Sequence, residues 1–333
     1  MTDSTGIIQF SKIAEPDIQS GYTADDNARA LIVALGMERQ ERMKLIHTYI
    51  HFLKEAQNPD GSWNNLKLNG RFVTSLNSED SLGRSVLAAS FAADCGLVEI
   101  EDNAIKMLNK ALPKAVKVKS PRAEAYVLLG LLNLISNKQA FSLTPEAKRL
   151  ADKLMTLYEK CRTPGWFWFE EKLTYCNALL PHSLFGYYIL SHDSRASKIA
   201  KESLDFLTDS LFKKGYLNIV GNRGWWQKEN EIPPFDQQPV DAASIVLACL
   251  QAYIATREHQ YITKAKIAYD WYWGKNIHQI AVYNEETEGC HDAIVPDGLN
   301  LNQGAEAVIS FLMAHQVLQE VKKNQQARLI PAV

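Results

Sequence analysis

Residues 78–93 read SEDSLGRSVLAASFAA, and this stretch decides the fold. It opens with a cap-forming Ser and two acids, then continues in small and apolar residues on every face of a helix. A helix that is apolar all round is buried all round. Its first turn is the exception, because Glu79, Asp80 and Arg84 bring charge into the same element. The pattern recurs in TADDNARALIVAL, PRAEAYVLLGLLNLI, NALLPHSLFGYYIL, PVDAASIVLACLQAYIA and NQGAEAVISFLMAHQVL, which makes six such helices. Their starts lie at intervals of roughly 40–65 residues, the spacing of large two-helix units.

A second, amphipathic and charged set lies between them: MERQERMKLIHTYIHFLKEAQ, DNAIKMLNKALPKAV, TPEAKRLADKLMTLYEK, SRASKIAKESLDFLTDSLF and YITKAKIAYDWYWGK. The partner of the sixth buried helix is either the C-terminal VLQEVKKNQQARL or a segment near the N-terminus. This alternation predicts an all-α (α/α)6 toroid of six helical hairpins. The inner ring is covered on both sides and the outer ring keeps one wet face. An open solenoid would need more uniform repeats. With no linker or break in composition, residues 1–333 are expected to form a single domain, with 1–19 as an extended N-terminal arm.

The 333 residues are 46% hydrophobic and 22% charged, a globular composition. A formal net charge of -2 gives no attraction to nucleic acid or to an anionic membrane. The opening MTDSTGIIQFSKIAEPD has no signal-peptide pattern. No segment is expected to reach the roughly 18–20 apolar residues of a membrane span. The five scattered Cys form no CxxC pair, which suits reduced thiols and a cytoplasmic location. No HExxH or paired Cys/His spacing appears, so neither a metal nor a cofactor is expected, with a calcium ion held by loop carbonyls left as the alternative. His47 and His51 are spaced i, i+4, but on a charged outer helix where a solvated face is the simpler reading.

In such a ring the inner helices run parallel and their first turns meet at one mouth. Unpaired N–H groups and the helix dipole stabilise acids there, so one acid per helix is explained as a cap. The full set exceeds that explanation. Asp25, Asp26, Arg29, Glu79, Asp80 and Arg84 come from the first two helices. Arg122, Glu124, His182, Gln237, Gln238, Asp241, Gln303 and Glu306 come from the rest. Polar groups inside a closed ring need partners or a ligand, so these are expected to line a functional mouth. Three loops add tryptophans: Trp63 in QNPDGSWNN, Trp166 and Trp168 in CRTPGWFWFEE, and Trp225 and Trp226 ahead of Asp236. Aromatic faces stack on sugar C–H faces while amides and acids take the hydroxyls. Trp63 and Trp226 are read as sugar-binding. Trp166 and Trp168 are read equally well as packing beneath their own loops.

The motifs NPDGSW, SEDSLGR and NQGAE resemble those of the six-hairpin glycosidase superfamily. The series GYTADDNARA, QNPDGSWNN, NSEDSLGR, DQQPVDAAS and GCHDAIVPDGLNLNQGAE is also similar to an (α/α)6 domain found C-terminal to retaining-type glycosyltransferase domains in bacteria. The resemblance runs over roughly residues 20–316 and implies a carbohydrate-active toroid. No Gly-rich phosphate loop appears, and a nucleotide-sugar domain is not expected within these residues. A transferase label is therefore expected to describe the relatives better than this chain.

Glycoside hydrolysis needs two carboxyls flanking the scissile bond. Neighbouring acids on one helix point about 100° apart, so the pair is expected to come from different helices. Asp80 and Asp241 are the first choice, Asp26 and Glu306 the next, and Asp292 in GCHDAIVPDG is a fifth candidate. Asp25, Arg29, Trp63, Glu79, Arg84, His182, Trp226, Gln237, Gln238, His291 and Gln303 are expected to bind substrate. Arg29 and Arg84 follow their acids at ion-pair spacing, and equally suit a uronate or phosphate. A lone His such as His182 is also a common structural residue. One alternative reading is a sugar isomerase or epimerase with His182 and His291 as bases. Another is a non-catalytic glycan-binding module that serves a separate glycosyltransferase.

Overall fold

A computed structural model of the protein describes residues 1–38, 41–323 and 329–333. Eleven α-helices are found among the described residues. They are α1 (Ala24–Leu35), α2 (Arg42–Ala56), α3 (Glu79–Ala92), α4 (Val98–Ala115), α5 (Pro121–Lys138), α6 (Thr144–Cys161), α7 (Leu179–Ser191), α8 (Ser194–Leu211), α9 (Pro239–Thr256), α10 (Gln260–Tyr269) and α11 (Ala305–Lys323). Strands are only two or three residues long. The chain divides into two compact units, Met1–Leu150 and Ala151–Val333.

In the N-terminal unit α3 lies between α1 and α5 and also packs on α4, while α2 packs on α1 and α4. Burial follows sequence character. Twelve residues of α3 are buried, from its second position onward. The longer α4 buries only six, at helical spacing from Ile100 to Ala115. Side-chain caps start the covered helices: Thr23 for α1, Ser78 in a capping box for α3, and Ser120 ahead of Pro121 for α5. The expected N-terminal arm is pinned in place. Ile7 and Ile8 are buried, the Ile7 N–H donates to Asn27 Oδ1 at 3.1 Å, and Thr2 Oγ1 meets Tyr49 OH at 2.8 Å.

In the C-terminal unit α9 contacts α7, α8, α10 and α11, and α7 also packs on α8. Sixteen residues of α9 are buried. This corrects one expectation. The 18 residues Pro239–Thr256, with mean hydropathy 1.4, are long and apolar enough for a membrane span, and nearly all of them are buried inside the protein. A second correction concerns the sixth pair. VLQEVKK is the end of α11 itself, so it is no separate partner helix, and the NQQAR that follows lies outside the described residues. The N-terminal alternative forms short strands and a single 3-10 turn. The last five residues, Leu329–Val333, are all buried. A hairpin of Ala293–Val295 with Gly298–Asn300 precedes α11, and the bridge between Gln237 and Ile294 holds it against the start of α9.

Gly83 and Gly130 set the close approach of α3 to α5. A Cβ on Gly83 would lie 2.9 Å from Tyr126 Cβ, and one on Gly130 would lie 3.3 Å from Val86 Cγ1. The Gly83 contact is the tighter, and its neighbour is the stiff base of a side chain. Alanine gains about 1 kcal/mol in helix propensity, whereas overpacking costs about 1–3 kcal/mol. Gly83→Ala is therefore expected to lower the denaturant midpoint. A raised midpoint would show that the two helices can move apart freely.

Candidate functional site

The paired acids at the helix starts divide their work. On α1, Thr23 Oγ1 accepts from the Asp26 N–H at 3.1 Å and donates to Asp26 Oδ2 at 2.6 Å. Arg29 Nη2 sits 2.8 Å from Asp26 Oδ1, the within-helix pair that the spacing predicted. Asp25 turns outward from this pair. Asn65 accepts from its N–H at 3.0 Å and donates to its Oδ2 at 3.1 Å. Arg84 of α3 joins three helices: Nη1 reaches Asp25 Oδ1 at 3.3 Å, and Nε donates to Tyr126 OH of α5 at 3.2 Å. On α3, Glu79 is exposed and accepts from the N–H groups of Lys119 and Ser120, at 2.8 and 2.6 Å. Asp80 is buried and accepts from Ser120 Oγ at 2.8 Å. Arg122 and Glu124 are buried on the first turn of α5. One acid of each doublet therefore ties a neighbouring segment, and the other is buried at the helix start.

Sequence reasoning missed Asn65, Ser120 and Tyr126. Asn65 stands in the quoted loop QNPDGSWNN, where the tryptophan drew attention first. Trp63 departs from its expected role. It is 2% exposed, and its indole N–H donates to Leu53 O at 2.8 Å, so its ring packs under its own loop.

In the C-terminal unit, Asp241 is buried on the first turn of α9 and accepts from the Cys176 N–H at 2.7 Å. Gln237, expected to bind substrate, is a strut instead. Its Nε2 donates to Asn218 Oδ1 and Pro234 O, both at 3.1 Å, and its Oε1 accepts from Trp271 Nε1 at 3.0 Å. Both amide donors are thereby occupied. Gln238 is half-buried at the N-cap of α9 and makes no side-chain cap bond. Gln303 is buried and accepts from Thr287 Oγ1 at 2.8 Å.

Asp292 and Glu306 come together around Gly304. The Gly304 N–H donates to Asp292 Oδ1 at 2.7 Å, and Glu306 lies on the first turn of α11. Burial raises the Asp292 pKa above the ordinary carboxylate value and the Glu306 charge adds to the rise, while the Gly304 bond and His291 oppose it. His291 is buried, and its Nδ1 lies 3.0 Å from Leu301 O. A carbonyl only accepts, so Nδ1 carries a proton toward Leu301.

The tryptophans of this unit pack on one another. Trp226 stacks on Phe206 with centroids 5.7 Å apart, meets Trp166 edge-on at 5.1 Å and donates to Asn230 O at 2.8 Å. Its indole N–H is thus committed locally, although the residue keeps partial exposure. Trp166 and Trp168 are buried, as the packing reading has it. Trp225 lies 6.3 Å from Tyr175, and Asp236 pairs with Arg223 at 3.0 Å. Among the described residues no group of three or more His, Cys, Asp or Glu is placed to hold a metal ion.

His182 is sealed. It is 1% exposed, and its Nε2 donates to Ile330 O at 3.0 Å, while the Ile330 N–H donates to Gln251 Oε1 at 2.7 Å. The C-terminal tail therefore occupies both polar side chains. This corrects the reading of His182 as a substrate ligand or base, because the residue is buried and its Nε2 is bound to the chain's own backbone. Nothing in the sequence linked Ile330 to a histidine 148 positions earlier.

No family model matches the chain, and no curated protein matches it. Solved structures do match in fold. A D-mannose isomerase is 16% identical with a TM-score of 0.75, over 96% of this chain and 93% of that one. A cellobiose 2-epimerase from Bacillus thermoamylovorans is 10% identical with a TM-score of 0.75, over 97% and 94%. A GH76 alpha-mannanase from Bacteroides thetaiotaomicron is 14% identical with a TM-score of 0.63, over 91% and 87%. The fold is therefore the all-α (α/α)6 toroid, as the alternating helices predicted.

Burial moves the His182 pKa from 6.5 to about 4. An unfolded histidine takes its proton near pH 6.5, whereas the folded one holds off until about 4. The resulting penalty is absent above pH 6.5 and grows as the pH falls toward 4. It amounts to about 2 kcal/mol between pH 7 and pH 5. Urea midpoints of His182→Gln are expected to lose about 2 kcal/mol less over that interval than the parent. Equal losses would place the titration elsewhere.

Proposed function

We propose that the protein is a carbohydrate-active enzyme that hydrolyses an oligosaccharide, with Asp292 as general acid and Glu306 as its charged partner. The state of Asp292 carries this reading. Its carboxyl is half-buried, pinned by the Gly304 N–H, and shifted toward the protonated form by burial and by Glu306. Glycoside hydrolysis needs one carboxyl that keeps its proton and one that stays charged, and unlike environments separate them. Asp241 is the next candidate for the charged role, since it also stands on a first turn of this unit. Asp80 and Asp26 rank behind, because Ser120 holds the first, and Thr23 and Arg29 hold the second. The half-buried Gln238 amide and Trp226 ring are suited to sugar hydroxyls and C–H faces.

A second reading, a sugar isomerase or epimerase, draws on His291 and on the fold shared with the mannose isomerase and the epimerase. His291 is buried next to Asp292 in the chain with Nδ1 held by Leu301 O, which leaves Nε2 as the ring atom for proton transfer and Asp292 as the matching acid. With His182 held by the C-terminal tail, this reading rests on one base where the sequence offered two.

Incubation with oligosaccharides and aldoses in heavy-oxygen, deuterated water separates the two. Release of sugar carrying heavy oxygen is expected, with Asp292→Asn lowering kcat by about 10²–10⁴-fold. Deuterium on carbon without cleavage, lost in His291→Ala, would replace hydrolysis with epimerisation. Full turnover in Asp292→Asn would remove that residue from the chemistry.

A further inference from the structure

The loop that leads into α9 carries two adjacent tryptophans with different surroundings. Trp226 stacks on Phe206, meets Trp166 edge-on and donates its indole N–H to Asn230 O. Trp225 meets Tyr175, with ring centroids 6.3 Å apart and planes tilted by 48°. We infer that Tyr175 and Trp225 form a sugar-stacking subsite beside Asp241, and that it takes a neutral pyranose unit of the substrate. That the ligand is a sugar rests on the carbohydrate reading above; that the pair binds a ligand rests on its own geometry.

Trp225 combines an accessible ring with an unspent donor, which sets it apart from the other tryptophans. Trp63, Trp166 and Trp226 donate to carbonyls, and Trp271 donates to Gln237. Trp273 hydrogen-bonds Tyr269, and Trp168 is buried. The Trp225 indole N–H meets no acceptor among the described residues and is open to solvent. Trp225 and Tyr175 are both half-buried, so each keeps aromatic surface that the protein does not cover. A tryptophan that only anchors its loop buries the ring and spends the N–H, as Trp63 does.

The backbone holds the pair in place against its own preference. Trp225 has φ 54° and Cys176 has φ 44°. This left-handed region is costly for residues with a Cβ and persists only where the surroundings enforce it, most often at functional sites. Two contacts enforce it here. Lys172–Leu173 pairs antiparallel with Trp226–Gln227, which brings the chain after Leu173 alongside the chain before Trp226. The Cys176 N–H donates to Asp241 Oδ1 at 2.7 Å, so Tyr175 directly precedes the residue that holds this acid. Just before Asp241, Gln237 exchanges backbone hydrogen bonds with Ile294 at 3.0 and 2.9 Å. The hairpin that follows Asp292 is thereby tied to the same helix start.

The charge around the pair selects a neutral ring. Between Gly215 and Pro239 the cations are Arg223 and Lys228. Arg223 pairs with Asp236 at 3.0 Å and Lys228 with Glu171 at 3.4 Å. The loop therefore offers no spare cation to a uronate or a phosphate, and Asp241 adds negative charge. A neutral pyranose places a C–H face on an aromatic ring and a hydroxyl on the indole N–H.

Calorimetric titration of the full chain with cellobiose, β-1,4-mannobiose and maltose tests this. Tetramethylammonium is titrated alongside, as a cation that also suits aromatic faces. Saturable binding of at least one disaccharide is expected. Trp225→Gly and Tyr175→Ala should each weaken it about 10-fold or more, while Trp225→Phe stays within about 3-fold. Glycine adopts φ 54° without strain, so Trp225→Gly is also expected to keep the parent's urea midpoint. A lowered midpoint would make Trp225 a packing anchor and overturn the subsite. So would binding unchanged in Trp225→Gly or Tyr175→Ala, no saturable binding of any disaccharide, or tighter binding of tetramethylammonium. Disaccharide binding that is lost in Trp225→Gly, with no oligosaccharide cleaved by the parent, removes the hydrolytic reading and leaves the subsite standing. Cleavage with an unchanged KM in Trp225→Gly does the reverse.

Discussion

Every polar group at the start of a fully covered helix must find a partner inside the protein, and the structure is organised by that constraint. A charge taken out of water costs several kcal/mol unless it is paired and hydrogen-bonded. The buried run of α3 leaves Asp80 and Arg84 nowhere else to turn. Arg84 answers by reaching Asp25 of α1 and Tyr126 of α5, so one guanidinium fixes the relative positions of three helix starts. Gly83 and Gly130 allow this by letting α3 and α5 approach closely enough for the contact. Packing and electrostatics are thus coupled at the same turn.

The C-terminal unit meets the constraint with a buried acid, Asp241, held by the Cys176 N–H, and with neutral groups beside it. Gln237 is held by two side chains and a carbonyl, and its backbone pairs with Ile294. That pairing carries the loop containing His291 and Asp292 to the start of α9. Deeper along the helices, Gln251 and His182 satisfy each other's surroundings through one residue of the C-terminal tail. A glutamine inside an otherwise apolar helix has a structural reason here: it is the acceptor for the buried Ile330 N–H. The Ile330 carbonyl, in turn, accepts from His182 Nε2, and His182 is buried.

The tryptophans show how one composition supports two physical roles. Gly-rich loops with aromatic residues suit sugar binding, and they also need apolar anchors of their own. Trp63 and Trp166 use their indole N–H on nearby carbonyls and are buried, so they act as anchors. Trp226 does both in part, stacked on Phe206 yet incompletely covered.

The sequence by itself determined the helices, their caps and their alternation, because these depend on neighbours three or four residues apart. Thr23, Ser78 and the Asp26–Arg29 pair were legible for that reason. The tertiary structure alone decided what each polar residue at a helix start does. Asn65 braces Asp25 from 40 positions away, and Ile330 closes His182 from 148. Asp292 was readable as a candidate acid, but its shifted proton comes from burial and from Glu306, brought near by the turn at Gly304. Periodicity records which face of a helix is covered. It carries no record of which distant side chain covers it, and the chemistry of a buried carboxyl or imidazole is set by that distant group.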